Sequence, residues 1–346
     1  IEWAALSDDE RQPLRNKVLN SLYPPGSTIK PMGALAALKH GIDPAERIHC
    51  PGGYRLGNRF FRCLGRHGSV DMRRAIAKSC NTYFYTMGHR LGYDKIAPTA
   101  RLLGLGQKFD LPVVSQSFGT VPDSAWKRRK YETNRRMVER PDWTASDSLN
   151  ASIGQGFLIV NPLQLAMMAA RIASGRDVQP SLIGRHDKAA PLLDLDPKHL
   201  ETVRGGMWEV VNGDGTAGAS RLPFPDIQMS GKTGTAQVRR LSASASRGQG
   251  GDWKYRDHGL FVFFAPSDKP RYAGAVVIEH GMGGARAAAP VAKDALTFLF
   301  DRAKAMENLT ALEQQWGGTL AERTARRSAA VAAAARAALE AKKARG

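Results

Sequence analysis

Tyr23-Pro24-Pro25-Gly26-Ser27-Thr28-Ile29-Lys30-Pro31 sets the frame for the rest of the chain. The two prolines hold the approach extended, because each fixes its own φ and pushes the residue before it away from helix. Gly26 permits a sharp turn. The residues that follow, Pro31-Met32-Gly33-Ala34-Leu35-Ala36-Ala37-Leu38-Lys39-His40, are rich in helix formers and are stopped by Gly41. Pro31 is tolerated only in a first turn, where its missing N–H has no intrahelical partner anyway. Ser27 is therefore expected to open a helix, with Lys30 three residues on and on the same face. A serine hydroxyl is a poor nucleophile at neutral pH. A lysine whose pKa is lowered by burial and neighbouring cations supplies the base it needs, and a helix N-terminus favours negative charge developing beside it. Ser-x-x-Lys alone arises by chance about once in a chain of this size, so the tetrad carries little until Pro-Pro-Gly aims it.

The 346 residues allow two or three domains or one large elaborated domain, and 42% hydrophobic content suits a sizeable core. No run of 18 apolar residues and no signal peptide is visible. The sequence opens on Ile1 in mid-pattern and reads as a fragment whose export signal or anchor would lie upstream. A formal charge of +18 admits nucleic acid, anionic membrane or wall polymer as partners. Zinc-finger spacing and RNA-binding aromatic motifs are both lacking, so nucleic acid is not expected. Residues 319–346 hold seven Lys/Arg and two Glu.

Residues 1–22 are polar and helix-compatible. Between Asp43 and Val70 the punctuation by Asp43-Pro44, Pro51-Gly52-Gly53, Gly57-Asn58 and Gly65 reads as loop. Asp71 is expected to cap one helix from Met72 to Leu91. Ser115 to Ser148 reads as a polar surface excursion. Ile153-Gly154-Gln155-Gly156 is a glycine turn, and Asn161-Pro162 reads as N-cap and first residue of a helix to about Ile172. A helix over Leu200–Asn212 precedes an extended stretch, Ile227–Val238. Ser242–Gly251 reads as low-complexity loop. Leu260–Ala265 and Tyr272–Glu279 are spaced like a hairpin, and a last core helix is expected over about Ala287–Lys304. Helices first and strands late imply an α+β fold. Residues 1–305 are expected to form the catalytic domain and 306–346 an Ala/Arg-rich tail.

Two further stretches join Ser27-x-x-Lys30. Ser79-Cys80-Asn81 falls in the helix that Asp71 opens, and Lys232-Thr233-Gly234-Thr235 falls on the extended segment. Ser-x-x-Lys, Ser-x-Asn and Lys-Thr-Gly in this order make the motif set of penicillin-binding proteins and serine β-lactamases. Through these, and through Thr82-Tyr83-Phe84-Tyr85, Ser152 to Gly156, Asn161-Pro162-Leu163-Gln164-Leu165-Ala166 and Ala289-Pro290, the chain resembles the transpeptidase domain of class B penicillin-binding proteins, most closely the penicillin-binding protein 2 group of the rod-elongation machinery. The resemblance spans about residues 10–302. It implies an antiparallel sheet flanked by helices, with strands before the nucleophile lying outside this chain. It implies that Ser27 attacks the carbonyl of a D-Ala-D-Ala stem peptide, with Lys30 as base, Ser79 relaying a proton to the leaving amine and Lys232 supplying positive charge. Asn81 would hold the acyl-side amide; Thr233, Gly234 and Thr235 would bind the terminal carboxylate, with the N–H groups of Ser27 and Thr235 as oxyanion hole. It further implies β-lactams as ligands, elongation-complex membrane proteins including a glycan polymerase as partners, and a place on the periplasmic face of a bacterial inner membrane. A D,D-carboxypeptidase or β-lactamase, or a non-catalytic scaffold of the elongation complex, is the alternative.

Cys50, Cys63 and Cys80 are the only cysteines, and His67 falls four residues after Cys63. Three cysteines and a histidine suit tetrahedral zinc, in a structural role, since serine chemistry needs no cofactor. The competing arrangement is a Cys50–Cys63 disulfide with Cys80 buried and His67 on the surface. His49 is a substitute fourth ligand.

Overall fold

The computed structural model describes residues 2–183, 189–238 and 252–343. Its helices are α1 (Glu2–Ser7), α2 (Lys17–Asn20), α3 (Lys30–Lys39), α4 (Met72–Ala77), α5 (Asn81–Leu91), α6 (Tyr93–Leu102), α7 (Ser124–Thr133), α8 (Ala145–Ser152), α9 (Pro162–Ser174), α10 (Pro197–Asn212), α11 (Ala289–Phe300), α12 (Arg302–Gln315) and α13 (Leu320–Lys343). The strands are β1 (Ile48–Cys50), β2 (Gly53–Leu56), β3 (Arg59–Arg62), β4 (Gly68–Val70), β5 (Ser230–Ala236), β6 (His258–Ala265) and β7 (Tyr272–Ile278). The fold is α+β, and the sheets among the described residues are antiparallel. The expected low-complexity loop at Ser242–Gly251 lies outside the described residues.

The chain divides into two units, Ile1–Lys293 and Asp294–Gly346, the boundary falling inside the last helix expected for the catalytic domain. In the first unit, α3 is the buried axis. Every residue from Lys30 to Leu38 is inaccessible or nearly so, so the helix has no polar face to turn outward. It packs against α5, α6 and α10. The sheet β5-β6-β7 has Lys232 opposite Val262 and Phe261 opposite Val276, and β5 is its edge strand among the described residues. Asn161 and Gln164 form a capping box on α9, with Pro162 in its first turn, as the sequence implied.

Four expectations are corrected. Ser27 does not lie in an α-helix: Gly26–Ile29 is a 3₁₀ turn and α3 begins at Lys30. The helix expected over Met72–Leu91 breaks at Lys78-Ser79-Cys80. There the Cys80 N–H donates to the Ala75 carbonyl, the Ser79 N–H donates to the Ile76 carbonyl, and Ser79 has φ +54°. This is a Schellman stop with serine in the position glycine usually takes, and Cys80 then begins α5. The stretch Asp43–Val70 is two antiparallel pairs, β1 with β4 and β2 with β3, the second closed by Gly57-Asn58. Last, the helix expected over Ala287–Lys304 is two helices, because the Asp301 carboxylate accepts from the Lys304 N–H and caps α12.

The excursion at 115–148 contains α7, and Lys127 inside it is buried, its ammonium on the Asp142 carbonyl at 2.6 Å and the Asp147 carboxylate at 2.7 Å. In the second unit, α13 is exposed at every described side chain but the half-buried Arg323.

Candidate active site

The three motifs meet. Gly26 holds φ +55°, and a Cβ placed on it would sit 2.4 Å from the Thr235 carbonyl oxygen. A Cβ on Gly154 would sit 2.1 Å from the Gly26 carbonyl oxygen, and one on Gly234 would sit 2.7 Å from Thr28 Cγ2. Three glycines thus bring the Ser27 turn, the 153–156 loop and strand β5 into backbone contact. The Gly26 N–H donates to the Gly154 carbonyl at 2.9 Å, fixing the turn. Ser27 is half-buried at this junction.

Lys30 leaves the same turn and is fully buried. Its Nζ hydrogen-bonds the Ser79 carbonyl at 2.7 Å, Asn81 Oδ1 at 2.7 Å and Ser79 Oγ at 3.2 Å. The left-handed backbone at Ser79 is what lets carbonyl, hydroxyl and the Asn81 side chain converge on one nitrogen. A neutral amine has two N–H groups for the two short contacts and a lone pair for a hydroxyl proton. Burial pushes Lys30 down to about 8, against the opposing pull of the nearby cysteines. Lys232, on β5, is also fully buried; burial first and the Lys30 charge second hold its pKa well below the ordinary lysine range. Its Nζ donates to the Thr233 carbonyl at 3.0 Å.

Asn81 is held from behind. Its Nδ2 donates to the Arg62 carbonyl at 3.2 Å and its backbone N–H to Cys63 Sγ at 3.1 Å. The β2–β3 hairpin therefore orients the side chain that holds Lys30. Thr233 Oγ1 lies 2.7 Å from Thr216 Oγ1, while Gln155 Nε2 reaches the Thr235 carbonyl at 3.4 Å. Asp214, two residues before Thr216, pairs with Arg74 and with Lys78, the neighbour of Ser79. The turn at 213–216 thus ties the Ser79 segment to Thr233. Sequence reasoning missed Thr216, whose run Gly213-Asp214-Gly215-Thr216 reads only as a helix stop.

Cys50 Sγ, Cys63 Sγ, Cys80 Sγ and a ring nitrogen of His67 all lie within 4.8 Å of one another. His67 Nδ1 is 3.5 Å from both Cys50 Sγ and Cys63 Sγ. Tetrahedral zinc, with Zn–S of about 2.3 Å and Zn–N of about 2.0–2.1 Å, separates sulfur from nitrogen by about 3.6 Å, so the donor set and its spacing fit that ion. All three cysteines are free, which removes the Cys50–Cys63 disulfide. His49 is exposed on β1 and outside the cluster. A hydrogen bond from the Cys80 thiol holds Cys63 far below the usual thiol range, and the same bond keeps the proton on Cys80.

Residues 4–297 match the family model described as penicillin binding protein transpeptidase domain. The chain is 36% identical to the peptidoglycan D,D-transpeptidase MrdA of Acinetobacter baumannii, over 83% of this chain and 44% of that protein. Among solved structures it is similar to Pseudomonas aeruginosa PBP2 in complex with WCK 5153, with a TM-score of 0.72 and 37% identity over 86% of this chain and 63% of that one. It is also similar to Helicobacter pylori PBP2 in its complex with MreC, with a TM-score of 0.75 and 31% identity over 86% and 54% of the two chains. The chain spans about half the length of the curated relatives it matches.

Proposed function

The chain belongs to the penicillin-binding protein transpeptidase family, and on that footing we propose that it is the catalytic part of a peptidoglycan D,D-transpeptidase of the penicillin-binding protein 2 kind. The observation that carries this reading is the convergence of Ser79 Oγ and Asn81 Oδ1 on the buried Lys30 amine, in the turn that presents Ser27. Neutral Lys30 takes the Ser27 hydroxyl proton as Oγ bonds to the carbonyl carbon of the penultimate D-alanine. The peptide C–N bond then breaks, and Ser79 Oγ passes a proton to the departing D-alanine amine, drawing on Lys30. An acceptor amine attacks the acyl-enzyme, closes the cross-link and returns the proton to Ser27. The backbone N–H groups of Ser27 and Thr235, on facing sides of the Gly26 contact, suit the oxyanion; removing such a donor costs about 10²–10³ in rate. Thr233, Gly234 and Thr235, beside the Lys232 amine, suit the substrate carboxylate. β-Lactams, which present a carboxylate and a reactive carbonyl together, are expected to acylate Ser27.

The test is incubation with a fluorescent penicillin followed by intact-mass analysis. A one-to-one adduct on the Ser27 peptide is expected, and Ser27→Ala abolishes it. Label of equal intensity on the Ser27→Ala chain would move the nucleophile elsewhere, and no adduct on folded wild type would leave the scaffold reading. Slow release of the adduct separates a transpeptidase from a β-lactamase.

Cys50, Cys63, His67 and Cys80 are the residues that would hold zinc. Bound there, the ion supplies a cross-link and no reaction step, joining the β3–β4 connection to Cys80 at the start of α5. Elemental analysis of chain purified without added metal is expected to give about one zinc per molecule. Zinc-free chain with three freely titrating thiols would remove the site.

The relatives named PBP2 and MrdA, and the MreC complex of the Helicobacter pylori protein, support work in peptidoglycan synthesis beside partner proteins; elongation-complex membrane proteins, a glycan polymerase among them, belong to the same proposal. Placement at the periplasmic face of the inner membrane follows from the same reading. No described helix is long and apolar enough to cross a membrane.

A further inference from the structure

The helices α12 and α13 lie beyond residues 4–297, the stretch that matches the family model. The end of α11 and α12 line a mostly apolar hollow of about 160 Å³, walled by Phe298, Met306, Leu309, Leu312 and Trp316. Phe298, Met306, Leu309 and Trp316 are each more than a third exposed, so the hollow lies open to solvent. After α12 the chain turns through Gly317 and Gly318 into α13. Hydrogen bonds fix this corner: the Leu320 N–H donates to Glu313 Oε1 at 3.3 Å and the Thr319 N–H to Glu322 Oε2 at 2.8 Å. Arg323 Nε donates to the Gly318 carbonyl at 3.1 Å, and its guanidinium lies 5.1 Å from the centre of the Trp316 ring. Trp316 and Leu320, which flank the corner in sequence, are both exposed.

Residues 319–346 carry a net charge of +5. Arg323, Arg326 and Arg327 make no ion pair among the described residues; Glu322, seated on the Thr319 N–H, feels Arg326 only at longer range. Between Ala321 and Lys343 the apolar side chains larger than alanine are Val331 and Leu339 alone. A protein partner would find few anchors there, because binding energy at protein interfaces gathers on a few large side chains. What α13 offers is charge, and the Arg323–Trp316 contact joins that charge to the apolar rim of the hollow. Basic side chains beside exposed Trp, Leu and Met match the boundary between lipid headgroups and acyl chains. Arginines meet the phosphates there, while rings and aliphatic side chains reach the first methylenes.

We infer that the second unit is a binding surface for an anionic phospholipid bilayer, with Arg323, Arg326 and Arg327 on lipid phosphates and Trp316, Leu320, Met306 and Leu309 at the headgroup–acyl boundary. The contact is peripheral, since no described helix is long and apolar enough to cross a membrane. It is independent of the acyl-transfer reading, because none of these residues belongs to the Ser27 site.

The experiment is sedimentation of the full chain with sucrose-loaded vesicles, made of phosphatidylcholine alone or with an equal part of phosphatidylglycerol. At about 0.1 M salt the chain is expected to partition at least about tenfold more strongly onto the phosphatidylglycerol vesicles, and about 1 M salt should remove most of that preference. Arg323→Gln, Arg326→Gln and Arg327→Gln together should weaken the partition by about tenfold or more. Trp316→Ser with Leu320→Ser should weaken it by about tenfold through lost apolar burial. Arg135→Gln, Arg136→Gln and Arg140→Gln remove the same charge from exposed positions in the first unit and should leave it unchanged. Helical circular dichroism equal to that of the parent shows that each variant is folded. Equal partition onto both vesicle types, partition that survives loss of the three α13 arginines, or an equal loss in the Arg135, Arg136 and Arg140 variant would each overturn the membrane surface. A Trp316→Ser, Leu320→Ser chain that partitions as the parent does would mark a general polyanion patch. A dimer that dissociates on those two substitutions, with no vesicle binding, would give the hollow to a second copy of the chain. Either result overturns the proposal. Penicillin adduct formation at Ser27, expected to be unchanged in all these variants, reads the parent function separately.

Discussion

Burial decides which proton form of Lys30 exists near neutrality. An ordinary lysine is charged almost completely at pH 7, and only about three molecules in ten thousand carry the free amine. With its pKa pushed down to about 8, roughly a tenth of Lys30 is neutral at pH 7. The base form therefore grows as pH rises. The second-order rate of Ser27 acylation by a penicillin should climb about tenfold per pH unit below 8 and level off above it. A profile flat from pH 6 to pH 9 would remove Lys30 as the base. The meeting of the three motifs was legible because serine, lysine and asparagine recur at spacings with a mechanical meaning. Thr216 was not, because its partner Thr233 is 17 residues away and the contact exists only after folding.

At the scale of elements, the turn that carries Ser27 depends on what Gly26 lacks. Its φ of +55° lies in the left-handed region, and the backbone oxygen of Thr235 occupies the space a side chain would need. Backbone cannot move aside as a flexible side chain can. Gly26→Ala should cost about 1–3 kcal/mol in urea unfolding. It should also slow penicillin acylation by about 100-fold, because a displacement near 1 Å is enough to misalign a nucleophile. Acylation at the wild-type rate would show that the β5 contact does not position Ser27. The sheet and α9 were legible from period and capping residues. The β2–β3 hairpin was not read, although Gly57-Asn58 between Leu56 and Arg59 is a two-residue turn signal; the surrounding glycines and prolines made the whole stretch look like loop. The break at Ser79 had no signal, since the residue at a left-handed helix stop is usually glycine.

At the scale of the molecule, the three motifs arrive from positions about 50 and 150 residues apart in a chain whose first unit ends at Lys293. The resemblance in sequence told which stretches would meet, and the buried α3 and the edge strand β5 explain how. The zinc-fitting cluster joins a shorter span, since Cys50 ends β1, Cys63 and His67 lie in the β3–β4 connection and Cys80 stands at the start of α5.

Ser79 also bears on heat resistance. A side chain held in the left-handed region costs on the order of 1 kcal/mol that glycine would not. Ser79→Gly should then raise the melting temperature of the chain by about 2 °C, while penicillin acylation falls by at least about 100-fold through loss of the relay hydroxyl. Calorimetry and labelling on one preparation read both numbers. A melting temperature that falls would mean the hydroxyl holds the fold more than the backbone strains it. If both expectations hold, a search for hardier variants that scores only thermal survival will select glycine at position 79, and with it an inert protein.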